Sequence, residues 1–250
     1  MNAPEIRMTD DGRPLAVVPP EDKNALGPDR LHDTIEDAYR CMMDGGLLLG
    51  PADIGYGLFC YKEAGLRKMY HLKQRPLWNP AITVGNLNLL PDLMLPLPEE
   101  TWQFLHEITA KTTIAVIGPK NPASRMLAKM DPFVRDHTSR DDSVAVFLRC
   151  GTFAEALVKR AALDDVLVVA TSGNVSTRGN SYRMEECGPE LVDHVDWKLN
   201  IGTCLHANEA RLATTMIDLR DFGIRRKGVN FAMIDEAARP LREKLQRQSA

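Results

Sequence analysis

Three short runs hold the residues best suited to chemistry, and all three suit a phosphate-bearing ligand. In Lys73-Gln74-Arg75-Pro76-Leu77-Trp78-Asn79-Pro80, Lys73 and Arg75 stand two apart, so extended backbone would turn both to one side. A compact ammonium beside a bidentate guanidinium matches a triphosphate. In Ala170-Thr171-Ser172-Gly173-Asn174-Val175-Ser176, a hydroxyl, a carboxamide and freed backbone N–H groups follow an apolar run. Such a loop can hold phosphate or base. Pro51-Ala52-Asp53-Ile54-Gly55-Tyr56-Gly57-Leu58 contributes glycines that let backbone approach a ligand closely. Each run also has a plainer reading: a solvated basic turn, a polar turn, and a turn into the next strand.

These runs must be positioned by regular elements. Apolar residues recur at helical spacing over 31–43, and Asp44-Gly45-Gly46 stops that helix. Further helices are predicted over 63–72, 99–110 and 152–162, with a charged amphipathic one over 232–248. Strand-like runs lie at 47–49, 81–84, 112–117, 144–148 and 214–219, and 166–170 is the strongest buried-strand signal. Strands alternating with helices predict an α/β protein built on a twisted open mixed sheet with flanking helices. In such sheets ligands lie beyond the carboxyl ends of strands, where the 170–176 loop falls. The expected organisation is an irregular arm over 1–28, one domain over 29–232 and a terminal helix over 233–250.

In order and spacing, the three runs resemble the YrdC-like threonylcarbamoyl-AMP synthase family, whose counterparts read approximately PTDTVYGL, KGRPxxNPL and ATSANxSG. Thr214-Thr215-Met216-Ile217-Asp218 is similar to that family's STVVD strand, and Arg226-Lys227-Gly228 to its RxG turn. The resemblance implies a nucleotidyltransferase that forms an acyl or carbamoyl adenylate. In the family this uses L-threonine, bicarbonate and ATP, on the route to threonylcarbamoyladenosine in tRNA. It further implies a catalytic set of Lys73, Arg75, Ser172 and Asn174, and nucleotide contacts from Arg75, Asn79, Thr113, Ser172, Asn174 and Arg226. Mg²⁺ would arrive with ATP, and tRNA or a tRNA-modifying protein is the implied partner.

The acceptor half departs from the family pattern. Ala52 and Ile54 stand where the family has threonines, Val84 where it has histidine, and Thr109-Ala110-Lys111 where it has PGP. Phe147 replaces an arginine, although Arg149 lies two residues on. Tyr56, Thr214 and Thr215 remain as polar groups on the acceptor side. Losing these partners should weaken threonine binding by several kcal/mol, at roughly 1–3 per lost bond. Another amino acid or carbamoyl phosphate is therefore a possible acceptor. The alternative reading is a non-catalytic module with the same fold that binds nucleotide or double-stranded RNA.

Composition bounds these readings. Of 250 residues, 44% are hydrophobic and 26% charged, enough for a core without metals or disulfides. A net charge of -3 supplies no global basic field, so RNA would need a local patch. Arg225-Arg226-Lys227 is one such run, explained equally by a solvated loop. Five cysteines lack any CxxC pair, which suits reduced thiols. The six histidines have no ligand spacing, so no protein-built metal site is expected. Trp102, Phe104 and Leu105 read as the core face of a helix. No apolar run nears the ~18 residues of a membrane span, and the polar opening residues lack a signal-peptide core. A cytoplasmic location is the expectation.

Overall fold

Runs of Leu, Val, Ile and Phe too short for helices become the strands of one sheet, because pleated backbone lets such side chains pack on both faces. The computed structural model describes residues 7–8, 14–17, 28–175 and 179–248. Its strands are β1 (Arg7–Met8), β2 (Pro14–Val17), β3 (Leu48–Ala52), β4 (Gly55–Cys60), β5 (Ile82–Val84), β6 (Ile114–Pro119), β7 (Ser143–Leu148), β8 (Val168–Ser172), β9 (Trp197–Asn200), β10 (Met216–Asp218) and β11 (Gly223–Arg226). The helices are α1 (Pro28–Met43), α2 (Glu63–Leu72), α3 (Leu90–Leu93), α4 (Glu99–Lys111), α5 (Arg125–Lys129), α6 (Pro132–Asp136), α7 (Thr152–Ala162), α8 (Pro189–Val192) and α9 (Phe231–Gln248). The sheet order is β1-β2-β9-β3-β4-β8-β5-β7-β6-β10-β11. Parallel and antiparallel pairs mix, as expected of this α/β class.

The long helices and central strands fall where their periodicity places them. The arm expected to be irregular contains β1 and β2, and β2 joins the sheet parallel to β9. The rest of 1–27 lies outside the described residues. The run read as a turn into the next strand is a hairpin: β3 extends through Ala52, and Gly55 starts β4 antiparallel to it. β9 and β11 carry too few consecutive apolar residues to be read as strands, and sheet pairing supplies what propensity does not. The polar stretch 124–142 contains α5 and α6, capped in part by Ser124, whose hydroxyl accepts from Leu127 N–H.

One continuous apolar core ties the layers together. Helix α7 presses Phe153 onto β3 at Gly50, where an added Cβ would lie 2.4 Å from the ring. Phe153 also meets Phe59 edge-on at 5.9 Å. Trp102 packs partly buried on the core beside buried Phe104 and Leu105, as the helix pattern requires. Among the described residues no helix is long and apolar enough to cross a membrane, and no cluster of three His, Cys, Asp or Glu could hold a metal ion.

Strand β7 ends in a reversal that decides the fate of one arginine. Arg149 takes φ 51° and Gly151 φ 99°, which breaks the two-residue alternation that would have aimed Arg149 the same way as Phe147. The guanidinium instead donates to Thr109 and Ala110 carbonyls at 2.7 and 3.0 Å, satisfying the last turn of α4. Arg149 therefore does not take up the place that the resemblance assigns to an arginine at Phe147. Arg149→Ala should lower stability by about 0.5–1 kcal/mol in a denaturant titration.

Candidate functional site

Strand register builds the floor of a cleft of about 550 Å³. On one sheet face Phe59 lies beside Ala170, Ala170 beside Ile82, Phe147 beside Ala115, and Ala145 beside Ile117. Met216 adjoins Ala115 on the far side. All of these line the cleft, and the alanines make it deep. Val84 shares the face through its pairing with Phe147 and Val168, buried below the opening. The same face is covered by Phe153 of α7 nearer Gly50, so the cleft is the portion that no helix occupies.

Polar groups enter from the loops that end the strands. Arg75 is half-buried on the turn after α2, donating to Asn79 O at 3.0 Å, Asn79 Oδ1 at 2.9 Å and Pro80 O at 2.7 Å. Tyr70 also donates to Asn79 O. Arg75 and Asn79 both line the cleft. Arg226 reaches in from β11, its Nε donating to Thr214 O at 2.9 Å. It is solvent-exposed at the mouth, yet crowding by protein and the charge of Arg75 both lower its pKa. Burial likewise lowers that of Arg75. Neither guanidinium has a carboxylate partner among the described ion pairs.

Lys73 does not share a face with Arg75. It caps α2 in helical backbone, and Gln74 follows at φ 50°, so the extended geometry assumed from sequence is absent. The side chain turns inward, 1% exposed, and donates to the carbonyls of Ser172 and Asn174. Ser172 Oγ lies 3.4 Å from Nζ. Burial, then the charge of Arg75, pushes the Lys73 ammonium down to about 7. Lys73 therefore holds the loop after β8 from beneath, while Ser172 lines the cleft. Gly173 is required there: its N–H donates to Tyr56 O at 2.6 Å, and a Cβ would sit 2.9 Å from that oxygen. Asn174 lies outside the lining. Its amide nitrogen donates to Val175 O at 2.8 Å, and its Oδ1 is buried without a partner. Ser176 falls outside the described residues.

The other sequence candidates divide. Thr214 lines the cleft. Thr215 does not: its hydroxyl donates to Val229 O at 2.8 Å and accepts from Gly228 N–H at 3.0 Å. Thr113 is also outside the lining, with its hydroxyl directed at Leu148 O at 3.3 Å. The Tyr56 hydroxyl, expected on the acceptor side, accepts from Ile201 N–H at 3.0 Å, with Asn200 Oδ1 and Gly202 O at 3.0 and 3.1 Å. Burial raises its pKa. It ties β4 to the end of β9. In each case strand pairing brings a partner from far along the chain, which local sequence does not reveal.

Several lining residues had no assigned role in the sequence reading: Asn180, Ser139, Arg140, Ser143, Asp218, Arg220 and Arg225. Asp218 ends a run singled out as motif-like, and Arg225 belongs to the basic run read as a solvated loop. A register shift at Met216/Ile217 lets Arg225 and Arg226 both face the cleft, whereas Lys227 lies over the Phe231 ring. Asp218 is 1% exposed. Burial alone would raise its carboxyl, but Arg220 and Arg225 hold it below its ordinary value, at 2.8 and 3.1 Å.

The arrangement can bind a polyanion at the Arg75–Arg226 edge and a small apolar group on the floor. Comparison with known proteins agrees with the fold. The Sua5/YciO/YrdC family, described as "Telomere recombination", matches residues 40–228. A threonylcarbamoyl-AMP synthase from Xylella fastidiosa (strain M12) is 24% identical over 165 residues, 65% of this chain and 82% of that protein. Sua5 of P. abyssi, solved in complex with L-threonine, superposes with a TM-score of 0.65 at 20% identity over 81% of this chain, which spans 56% of that chain's length. E. coli YciO superposes with a TM-score of 0.58 at 19% identity, over 78% of this chain and 89% of its own. The family match takes in all three runs and nearly the whole sheet, so the chain belongs to the Sua5/YciO/YrdC family.

Proposed function

We propose that the chain binds ATP in this cleft and adenylates a small carboxylate- or carbamate-bearing substrate, a reaction of the threonylcarbamoyl-AMP synthase kind. One observation carries the reading: Arg75 and Arg226 line the same cleft, close enough for one charge to depress the other's pKa, and neither has a carboxylate partner among the described ion pairs. Like charges so placed are stabilised by an anion, and guanidiniums match phosphate oxygens.

In this reading Arg75 and Arg226 bind the triphosphate and offset charge developing at the α-phosphate. The Ser172 hydroxyl and the backbone after β8 orient it, and Lys73 fixes that backbone. The lining fits Mg²⁺ only as an ion carried on the phosphates, since both oxygens of Asp218 are held by arginines. Bicarbonate and an amine would supply a carbamate, and the mixed anhydride formed would be passed to a tRNA adenosine through a modifying partner.

The test is ATP binding by equilibrium titration, followed by pyrophosphate release from ATP and bicarbonate with and without L-threonine. Saturable binding with acceptor-dependent release is expected. Failure of ATP to bind sinks the proposal. Binding without release from any acceptor would identify a nucleotide-binding module that does not turn over.

A further inference from the structure

Two of the three tryptophans have aromatic partners: Trp197 stacks on Phe153 at 5.4 Å, and Trp102 meets His106 at 6.2 Å. Trp78 has none among the described residues, and it is 77% exposed. Leu77 beside it is also exposed. The backbone on either side of the ring is nevertheless hydrogen-bonded. Asn79 N–H donates to Pro76 O at 3.0 Å, Tyr70 to Asn79 O at 2.9 Å, and Arg75 to Asn79 and Pro80. Sheet topology fixes where the ring stands. Its turn leads into β5, the segment bearing Arg140 leads into β7, and these strands are parallel neighbours. Both segments therefore enter at the same end of the cleft, on strands ~5 Å apart, and Ala81 N–H ties them by donating to His137 O at 2.9 Å. Arg140 is exposed, lines the cleft and has no carboxylate partner among the described ion pairs. Asp142 beyond it is held by Arg220 at 2.6 Å. An exposed ring beside an unpaired guanidinium suits a nucleobase and its phosphate. A nucleotide inside the cleft leaves Trp78 uncovered, because Trp78 is not among the lining residues.

We propose, resting on the reading above that the product is delivered to an RNA adenosine, that Trp78 is a stacking platform for an unpaired nucleobase of that RNA. The base lies flat on the indole, with Leu77 at its edge, and Arg140 binds the phosphate next to it. The strand runs along the rim while ATP occupies the interior of the cleft. Stacking on a protein ring requires a base free of its own neighbours, so a loop or single strand is bound in preference to a duplex. Every base has a π-face, so this contact anchors the strand without reading its sequence.

The full chain is titrated with a single-stranded oligoadenylate and with a blunt RNA duplex, each with and without ATP. Binding is read by indole fluorescence and by anisotropy of the labelled RNA. The single strand should bind and quench the indole emission. Trp78→Ala should weaken that binding by roughly 5–100-fold, and Trp78→Phe should retain most of it, since a ring remains. Arg140→Ala should flatten the dependence of log affinity on log salt by about 1. No binding of the strand, equal affinity in the native and Trp78→Ala proteins, or equally tight binding of the duplex overturns the inference and leaves the exposed ring to a protein partner. A parallel fall in ATP affinity in Trp78→Ala puts the ring on the mononucleotide and likewise overturns it. ATP is titrated separately, so its failure to bind sinks the adenylation reading while the strand titration still decides this one.

Discussion

Arg75→Ala should weaken ATP binding by roughly 10²–10³-fold, as expected when a charged hydrogen-bonding partner of a phosphate is truncated. The guanidinium has two tasks that this substitution removes together. It presents charge to the cleft, and it holds the turn through Asn79 and Pro80. Arg75→Lys separates them, since an ammonium keeps the charge but cannot form the three-way clamp. Its affinity should fall between the other two. Isothermal titration at fixed ionic strength reads the effect, and the denaturation midpoint tells turn collapse from lost charge. Native affinity in a well-folded Arg75→Ala protein would remove the phosphates from this edge.

Lys73→Met should cost about 2–5 kcal/mol of stability at pH 10, because two buried carbonyls, Ser172 O and Asn174 O, lose their donor. The cost is pH-dependent, with a definite sign. The native pKa of about 7 lies below the ordinary lysine value of 10.5, so between these limits the unfolded chain binds more protons. Native stability therefore rises with pH across that window, by up to about 1.4 kcal/mol per unit. Below pH 7 both states are protonated and the whole penalty of burying the charge is present. Methionine has no such dependence, so the gap between the two proteins should narrow as pH falls from 10 to 7. Urea titrations at the two pH values give the comparison, and a pH-independent gap would mean the amine stays charged in the fold. Turnover should also fall, because the loop bearing Ser172 loses its anchor.

The pairing of these two residues illustrates what was legible in advance. Helical periodicity over 63–72 and the break at Arg75-Pro76 follow from local spacing, and the helix ends at Leu72. The types at 73 and 75 mark the segment as anion-binding in character. Their directions were not legible: a helical cap at Lys73 and a positive φ at Gln74 sent one side chain beneath the loop after β8 and the other into the cleft. Arg149 is a similar case, where a single reversal at the end of β7 redirected a guanidinium onto α4.

The sequence by itself determined the long helices and central strands, the α/β class and the three loops bearing polar groups, because propensity, periodicity and glycine placement act over a few residues. It also determined that Ala52, Ile54 and Phe147 could offer no charge to a ligand. Only the tertiary structure decided which hydroxyls are free. Thr113, Thr215 and Tyr56 are polar in sequence, yet each is bonded to a partner 14 or more positions away. It likewise decided that Arg220 and Arg225 are paired with Asp218, Asp142 and Asp221, while Arg75 and Arg226 have no carboxylate partner among the described ion pairs. Buried polar groups must find partners, and the partners are brought by the placement of β4, β6, β7, β9, β10 and β11 in one sheet, a long-range arrangement that no local window of sequence encodes.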